Sequence, residues 1–166
     1  PKTEINIIKG GQDFQIGDIK ISPFSIPHDA EEPLGFTFLK GFKKIGFASD
    51  LGKVTLLVLE KLKNSNLLAI ETNHDENLLI NGPYPYNLKR RIKSTFGHLS
   101  NKEAVDAISK LISPSLKYIF PIHLSEINNE PNLVKYYMEE ILKAHSAENI
   151  LCFISSQKEI IPFLEV

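Results

Sequence analysis

Lys44-Ile45-Gly46-Phe47-Ala48-Ser49-Asp50-Leu51-Gly52 is the stretch on which the fold turns. An apolar run ends there at an acid, and Gly52 follows, as expected where a strand stops in a tight turn. Before it the chain is β-rich. Ile5-Asn6-Ile7-Ile8 leads to a Gly10-Gly11 turn. Phe14-Gln15-Ile16 and Ile19-Lys20-Ile21 flank Gly17-Asp18 and alternate as hairpin strands do. Leu34 to Leu39 and Lys44 to Ser49 form a second expected pair around Gly41. After Asp50 the pattern changes to helix alternating with strand. Val54 to Leu62 and Pro85 to Lys93 are expected helices, and Leu67 to Ile70 is an expected buried strand ending at Glu71. Ser100 and Glu103 have the spacing of a capping box, in which side chains satisfy the free N–H groups of a helix start. Behind them Ala104, Ala107, Ile108, Leu111 and Ile112 share one face, and Pro114 ends the helix. Tyr118 to Ile122 is a strand aimed at His123, Pro131 to His145 a long helix, and Ile150 to Ile154 a last strand. A β-rich half followed by strand–helix alternation predicts an α/β (α+β) domain built in layers over residues 1–166.

Bulk properties narrow the class. A chain of 166 residues can bury roughly two-thirds of its unfolded surface. With 42% hydrophobic and 23% charged residues and a net charge of -1, it has the balance of a globular domain with no global demand for an acidic partner. The single cysteine, Cys152, excludes an internal disulfide and a Cys-rich zinc site, and fits a reducing, cytoplasmic setting. No apolar run reaches the roughly 18 residues of a membrane span.

Four of the five histidines follow the end of a strand or turn in polar company: His28, His74, His98 and His123. Asp50 is placed the same way. Strand ends are where layered enzymes assemble sites, because the sheet fixes each side chain's origin and loops let them converge. Imidazole binds divalent transition metals, and a carboxylate can bridge two of them. A lone histidine at a strand end is more often a hydrogen-bonded structural residue. Four with an aspartate bring the two readings level, and spacing alone does not separate them. His145, at a helix end, reads as structural.

Six motifs, taken in order, carry a resemblance. They are His28-Asp29-Ala30-Glu31-Glu32-Pro33-Leu34-Gly35-Phe36, Ser49-Asp50-Leu51-Gly52, Glu71-Thr72-Asn73-His74-Asp75, Gly82-Pro83-Tyr84-Pro85, Gly97-His98-Leu99-Ser100-Asn101 and His123-Leu124-Ser125. Together they resemble the YycJ/WalJ-like branch of the metallo-β-lactamase superfamily, over nearly the whole chain. The resemblance implies the C-terminal portion of an αβ/βα sandwich. It implies a centre of two divalent ions (zinc, manganese or iron) with His28 and His123 as ligands and Asp50 bridging. His98 then stands by the scissile phosphate and protonates the leaving group, with Glu71 and His74 orienting it or bordering the substrate. A solvated strand end is the alternative for Glu71.

The family's His-x-His-x-Asp-His segment does not occur in the chain. With only part of the ligand set, metal binding by this chain alone is expected to be weak or absent. The missing segment is therefore the expected partner, and a sheet face is expected to lie exposed, favouring that partner or a homo-oligomer. The activity implied is phosphodiester cleavage, with DNA exonuclease action when complete. A small-molecule phosphodiesterase or thioester hydrolase of the same fold, or a non-catalytic fragment, are the alternatives. Single-stranded or nicked DNA is the expected substrate, and no membrane is implied. Tyr84, Lys89, Arg90, Arg91 and Asn101 are candidate substrate contacts, with Tyr84 or Tyr86 able to stack a base. A solvated helix face is the alternative reading of the basic cluster.

Overall fold

The computed structural model describes residues 5–156 and 165, so the extreme ends of the expected 1–166 unit lie outside the described residues. Among the described residues seven strands form one mixed sheet in sequence order. They are β1 (Phe14–Ile16), β2 (Ile19–Ser25), β3 (Leu34–Lys40), β4 (Lys43–Ala48), β5 (Leu67–Glu71), β6 (Tyr118–Ile122) and β7 (Leu151–Cys152). The first three pairings are antiparallel and the last three parallel. The change falls at β4, the strand that ends before Asp50. Five helices occur among the described residues: α1 (Leu56–Leu62), α2 (Glu76–Asn81), α3 (Tyr86–Ile92), α4 (Asn101–Leu111) and α5 (Pro131–Ala144). None is long and apolar enough to cross a membrane. The expected α/β class and nearly all its elements are present.

Two expectations differ. Ile5–Ile8 is exposed and lies outside regular structure, because no described strand pairs with it. Helix α2 is additional. Asp75 starts it by accepting from Asn77 N and Leu78 N at 2.9 and 3.1 Å, the exchange an N-cap aspartate provides.

Parallel β4, β5 and β6 demand crossovers, and the helices that supply them cover one sheet face. Phe24, Ala48, Leu68, Ile70 and Ile119 point to that side and pack with Val58, Leu62, Ile108, Leu111, Val134 and Met138. Burying each larger side chain contributes roughly 1.5–3 kcal/mol. Residues of opposite parity face the other way. Phe38 aligns with Ile45, Ile45 with Leu67 and Leu67 with Tyr118. Phe36, Phe47, Ala69 and Phe120 form the next row. Ala69 is buried, but among the described residues none of these joins the cluster that packs under the helices, and Phe47 is 36% exposed. The sheet is therefore apolar on both faces and layered on one.

The topology places the functional candidates. β2, β4, β5 and β6 all run the same way, since β3 reverses between β2 and β4. Their C-terminal ends share one edge, and there the chain presents His28, Asp50, Glu71 and His123.

Candidate metal centre

Each side chain reaches the edge by a particular local device. Asp50 follows β4 with φ 52°, and His123 follows β6 with φ 59°. Both occupy the left-handed region, which side chains other than glycine's enter at a cost. Glu71 is the last residue of β5 and is fully buried. His98 comes from the turn between α3 and α4, where its backbone N donates to Ile92 O at 2.9 Å. Only glycine fits before it: a Cβ on Gly97 would stand 2.2 Å from the carbonyl oxygens of Arg91 and Ile92. Beyond it Ser100 caps α4 in the expected capping box. His28 is stitched to the same turn. Its Nδ1 lies 3.1 Å from Gly97 O, while Gly52 N donates to Pro27 O at 2.8 Å and Asp29 N to Phe96 O at 3.0 Å.

One ligand atom from each of Asp50, Glu71, His98 and His123 lies within 4.8 Å of the others. The His28 ring is 5.1 Å from that of His98, and His98 is 5.1 Å from His123. Glu71 Oε1 accepts from His98 Nδ1 at 2.8 Å and from His123 Nδ1 at 2.7 Å. Its Oε2 accepts from Leu51 N at 2.6 Å and Leu99 N at 3.3 Å. Every acceptor direction of this carboxylate is thus in use. Burial pushes the Glu71 carboxyl up, but the bonds from His123, His98 and Leu51 together outweigh it and hold it below the usual carboxylate range. The hydrogen bond to Glu71 raises His123 above the ordinary histidine value, against the opposite pull of burial.

This donor set fits a divalent metal. With Nδ1 of His98 and His123 turned to Glu71, those two rings keep Nε2 as the free nitrogen, whereas His28, its Nδ1 turned to a carbonyl, has Nε2 3.3 Å from Asp29 Oδ1. A ligating histidine commonly has this arrangement, its second nitrogen fixed by a carboxylate or carbonyl. Asp50 is the open carboxylate. It is half exposed, and its Oδ1 lies 3.5 Å from His123 Nδ1 and 3.9 Å from both His28 Nε2 and His98 Nδ1.

The other candidates are distributed unevenly. Tyr84 and Arg91 line a cavity of about 360 Å³ that also reaches His98 and His123. Arg91 Nε donates to Asp29 Oδ2, so the residue after His28 holds the arginine beside the pocket. Lys89 Nζ instead donates to Ile80 O and Gly82 O, both at 2.7 Å, closing the end of α2. Arg90 is exposed and lies over the Tyr86 ring at 5.9 Å. Asn101 is 1% exposed and pairs with Asn129 through both amide groups at 2.9 Å, so its place is interior rather than substrate-facing. His74 is also interior, 2% exposed, with no partner for Nδ1; burial lowers its pKa. Sequence reading missed Asn73 and Asn129, which bind the site's loops together. Asn73 carried a signal as a polar residue just after a strand end; Asn129, before the start of α5, carried none.

Comparison with known proteins agrees with this geometry. Residues 1–124 match the family model described as "Beta-lactamase superfamily domain". The chain is 33% identical over 143 residues to "Exodeoxyribonuclease YycJ" of Bacillus anthracis, covering 86% of this chain and 54% of that protein. It is 35% identical over 133 residues to "Exodeoxyribonuclease WalJ" of Streptococcus pneumoniae serotype 2, covering 80% and 49%. The chain therefore spans about half the length of the curated relatives it matches. Among solved structures, Zn(2+)-bound PqqB from Methylobacterium extorquens superposes with a TM-score of 0.60 at 14% identity, covering 89% of this chain and 48% of that one. The metallo-beta-lactamase fold protein YhfI from Bacillus subtilis gives 0.60 at 12% identity, covering 81% and 48%. These two likenesses bear on the fold alone.

Proposed function

The chain belongs to the beta-lactamase superfamily, and on that premise we propose that it carries half of a metal-dependent hydrolase of phosphodiesters, with DNA as the substrate class. The observation that carries this reading is the convergence of His28, Asp50, His98 and His123 on one sheet edge around the buried Glu71 carboxylate. The exodeoxyribonuclease relatives support the choice of substrate.

His28, Asp50 and His123 would hold two divalent ions together with ligands from elsewhere. Such a pair, when bound, lowers the pKa of water and neutralises charge on a phosphodiester. The rest falls to the chain's own groups. Glu71 keeps the Nδ1 atoms of His98 and His123 protonated and the rings oriented. His98, between Glu71 and the cavity, is placed to give a proton to the leaving oxygen. Arg91 offers its remaining N–H groups to a neighbouring phosphate, and Tyr84 a face for a base. His74 acts from the interior, as packing beneath this edge.

The missing ligands are assigned to a partner segment, the other half of the relatives' length. Its place is the uncovered sheet face that carries Phe36, Phe38, Ile45, Phe47 and Phe120. A second copy of the chain is the competing occupant.

The test joins that segment, taken from a relative, to this chain and assays cleavage of single-stranded DNA with zinc, manganese or iron. Metal-dependent release of nucleotides is expected, and loss of it on His98→Ala. Cleavage of small phosphodiesters or thioesters without any action on DNA would overturn the nuclease reading. A joined protein that binds no metal would overturn the hydrolase reading as well.

A further inference from the structure

We propose that Asn73 is a positioning residue for the metal centre, holding the His123 backbone in the turn that aims its imidazole at the site. The inference rests on the reading of His123 as a ligand. Its main readout is independent of that reading.

His123 is the point at which the chain leaves β6, with φ 59°. A residue other than glycine enters that conformation at a cost, so neighbouring contacts help to hold it there. The Asn73 side chain supplies one directly, since its Nδ2 donates to His123 O at 2.9 Å. The Asn73 backbone supplies another, its carbonyl accepting from Ser125 N at 2.9 Å. Thr72 N donates to Ile122 O at 2.9 Å on the other side of the turn. One residue therefore grips the segment 123–125 from both its amide side chain and its main chain. The gripped carbonyl belongs to the same residue whose Nδ1 meets Glu71 at 2.7 Å.

Asn73 is itself fixed. Its N donates to Leu99 O at 3.0 Å, which ties it to the turn bearing His98. Asn129 Nδ2 donates to Thr72 O at 2.9 Å and Asn73 O at 3.0 Å, and pairs with Asn101. The three turns that bear Glu71, His98 and His123 are thus joined through amide groups that carry no charge. Neutral donors suit this position, because a charged one would compete for the buried Glu71 carboxylate. Asn73 is 8% exposed, at the wall of the cavity that Tyr84 and Arg91 line, and its side-chain amide is engaged by the His123 carbonyl. Its effect passes through His123.

A merely structural asparagine would lower stability and leave the imidazole geometry of the folded molecules unchanged. A positioning asparagine moves the His123 ring. Nitrogen NMR of histidine-labelled chain without metal reads this directly, through the Nδ1–H signals of His98 and His123 on Glu71. Asn73→Ala is expected to shift or broaden the His123 signal while leaving that of His98 in place. Zinc affinity, titrated on the same samples, is expected to fall about 10–100-fold, the range for loss of groups that orient a ligand. Leu142→Ala, buried near the C-terminal end of α5, serves as a control that loosens the fold and should move neither readout. Should Asn73→Ala not fold, Asn73→Asp keeps the size, removes the donor and is read the same way. An unmoved His123 signal in a folded Asn73 variant overturns the proposal. Absence of zinc binding by the unmodified chain would count against the metal reading alone, since the NMR result still decides the role of Asn73.

Discussion

At the scale of single residues, Glu71 organises the site. Two imidazoles and two backbone amides share one buried carboxylate. In Glu71→Gln the new amide group must face at least one donor, leaving two N–H groups opposed in the interior. The loss is expected to be about 2–3 kcal/mol in urea unfolding at neutral pH. The pH dependence has a defined sign. The Glu71 carboxyl is lowered from its ordinary 4.5, so its contribution is complete above 4.5 and is lost as pH falls through the lower folded value. The variant should lack that acid limb. His123, raised above 6.5, contributes fully below 6.5 and less as pH rises through its folded value. Urea midpoints measured across both windows check this. The motif around Glu71-Thr72-Asn73-His74-Asp75 was legible as functional in the sequence, but which of its members reached the edge was not. Strand parity sends Glu71 to the site, and the next turn folds His74 inward under Ser100, with which it forms a bridge.

At the scale of elements, the junction between α3 and α4 sets His98. Gly97 passes so close to the last carbonyls of α3 that any side chain collides with backbone. Gly97→Ala is expected to cost about 1–3 kcal/mol as an overpacking change and to displace His98 from Glu71. The His98 Nδ1–H signal and the melting temperature should change together. Most elements could be read from periodicity, because strands β2 to β6 and helices α4 and α5 carry clear apolar patterns. Helix α2 escaped because it is six residues long and opens inside a motif that drew attention for its chemistry. Lys89 escaped for a related reason: a basic run suggests phosphate, whereas its nearest acceptors are carbonyls at the end of that same short helix.

At the scale of the whole molecule, one sheet has a helical layer on one side and an aromatic surface on the other. Phe36 stacks near Phe38, and Phe120 near Phe153, and among the described residues no helix packs over them. Such a surface favours association. Phe47→Lys should reduce self-association in light scattering while altering the folding free energy by only about 0.5 kcal/mol, as surface changes do. Unchanged association would remove this face from consideration as a contact. The uncovered face was expected from the family segment that the sequence lacks. Its extent was not, because alternation alone does not reveal which residues a crossover helix will cover.

The left-handed backbone at Asp50 sets the fold's interest against that of the site. A glycine there would relieve about 1 kcal/mol of strain, and it would remove no hydrogen bond shorter than 3.5 Å, the distance from Asp50 Oδ1 to His123 Nδ1. Asp50→Gly should therefore melt at a higher temperature than the unmodified metal-free chain while binding less zinc. In a library screened only for thermal resistance, the Asp50 carboxylate would be among the first groups discarded; a library screened for bound metal would retain it.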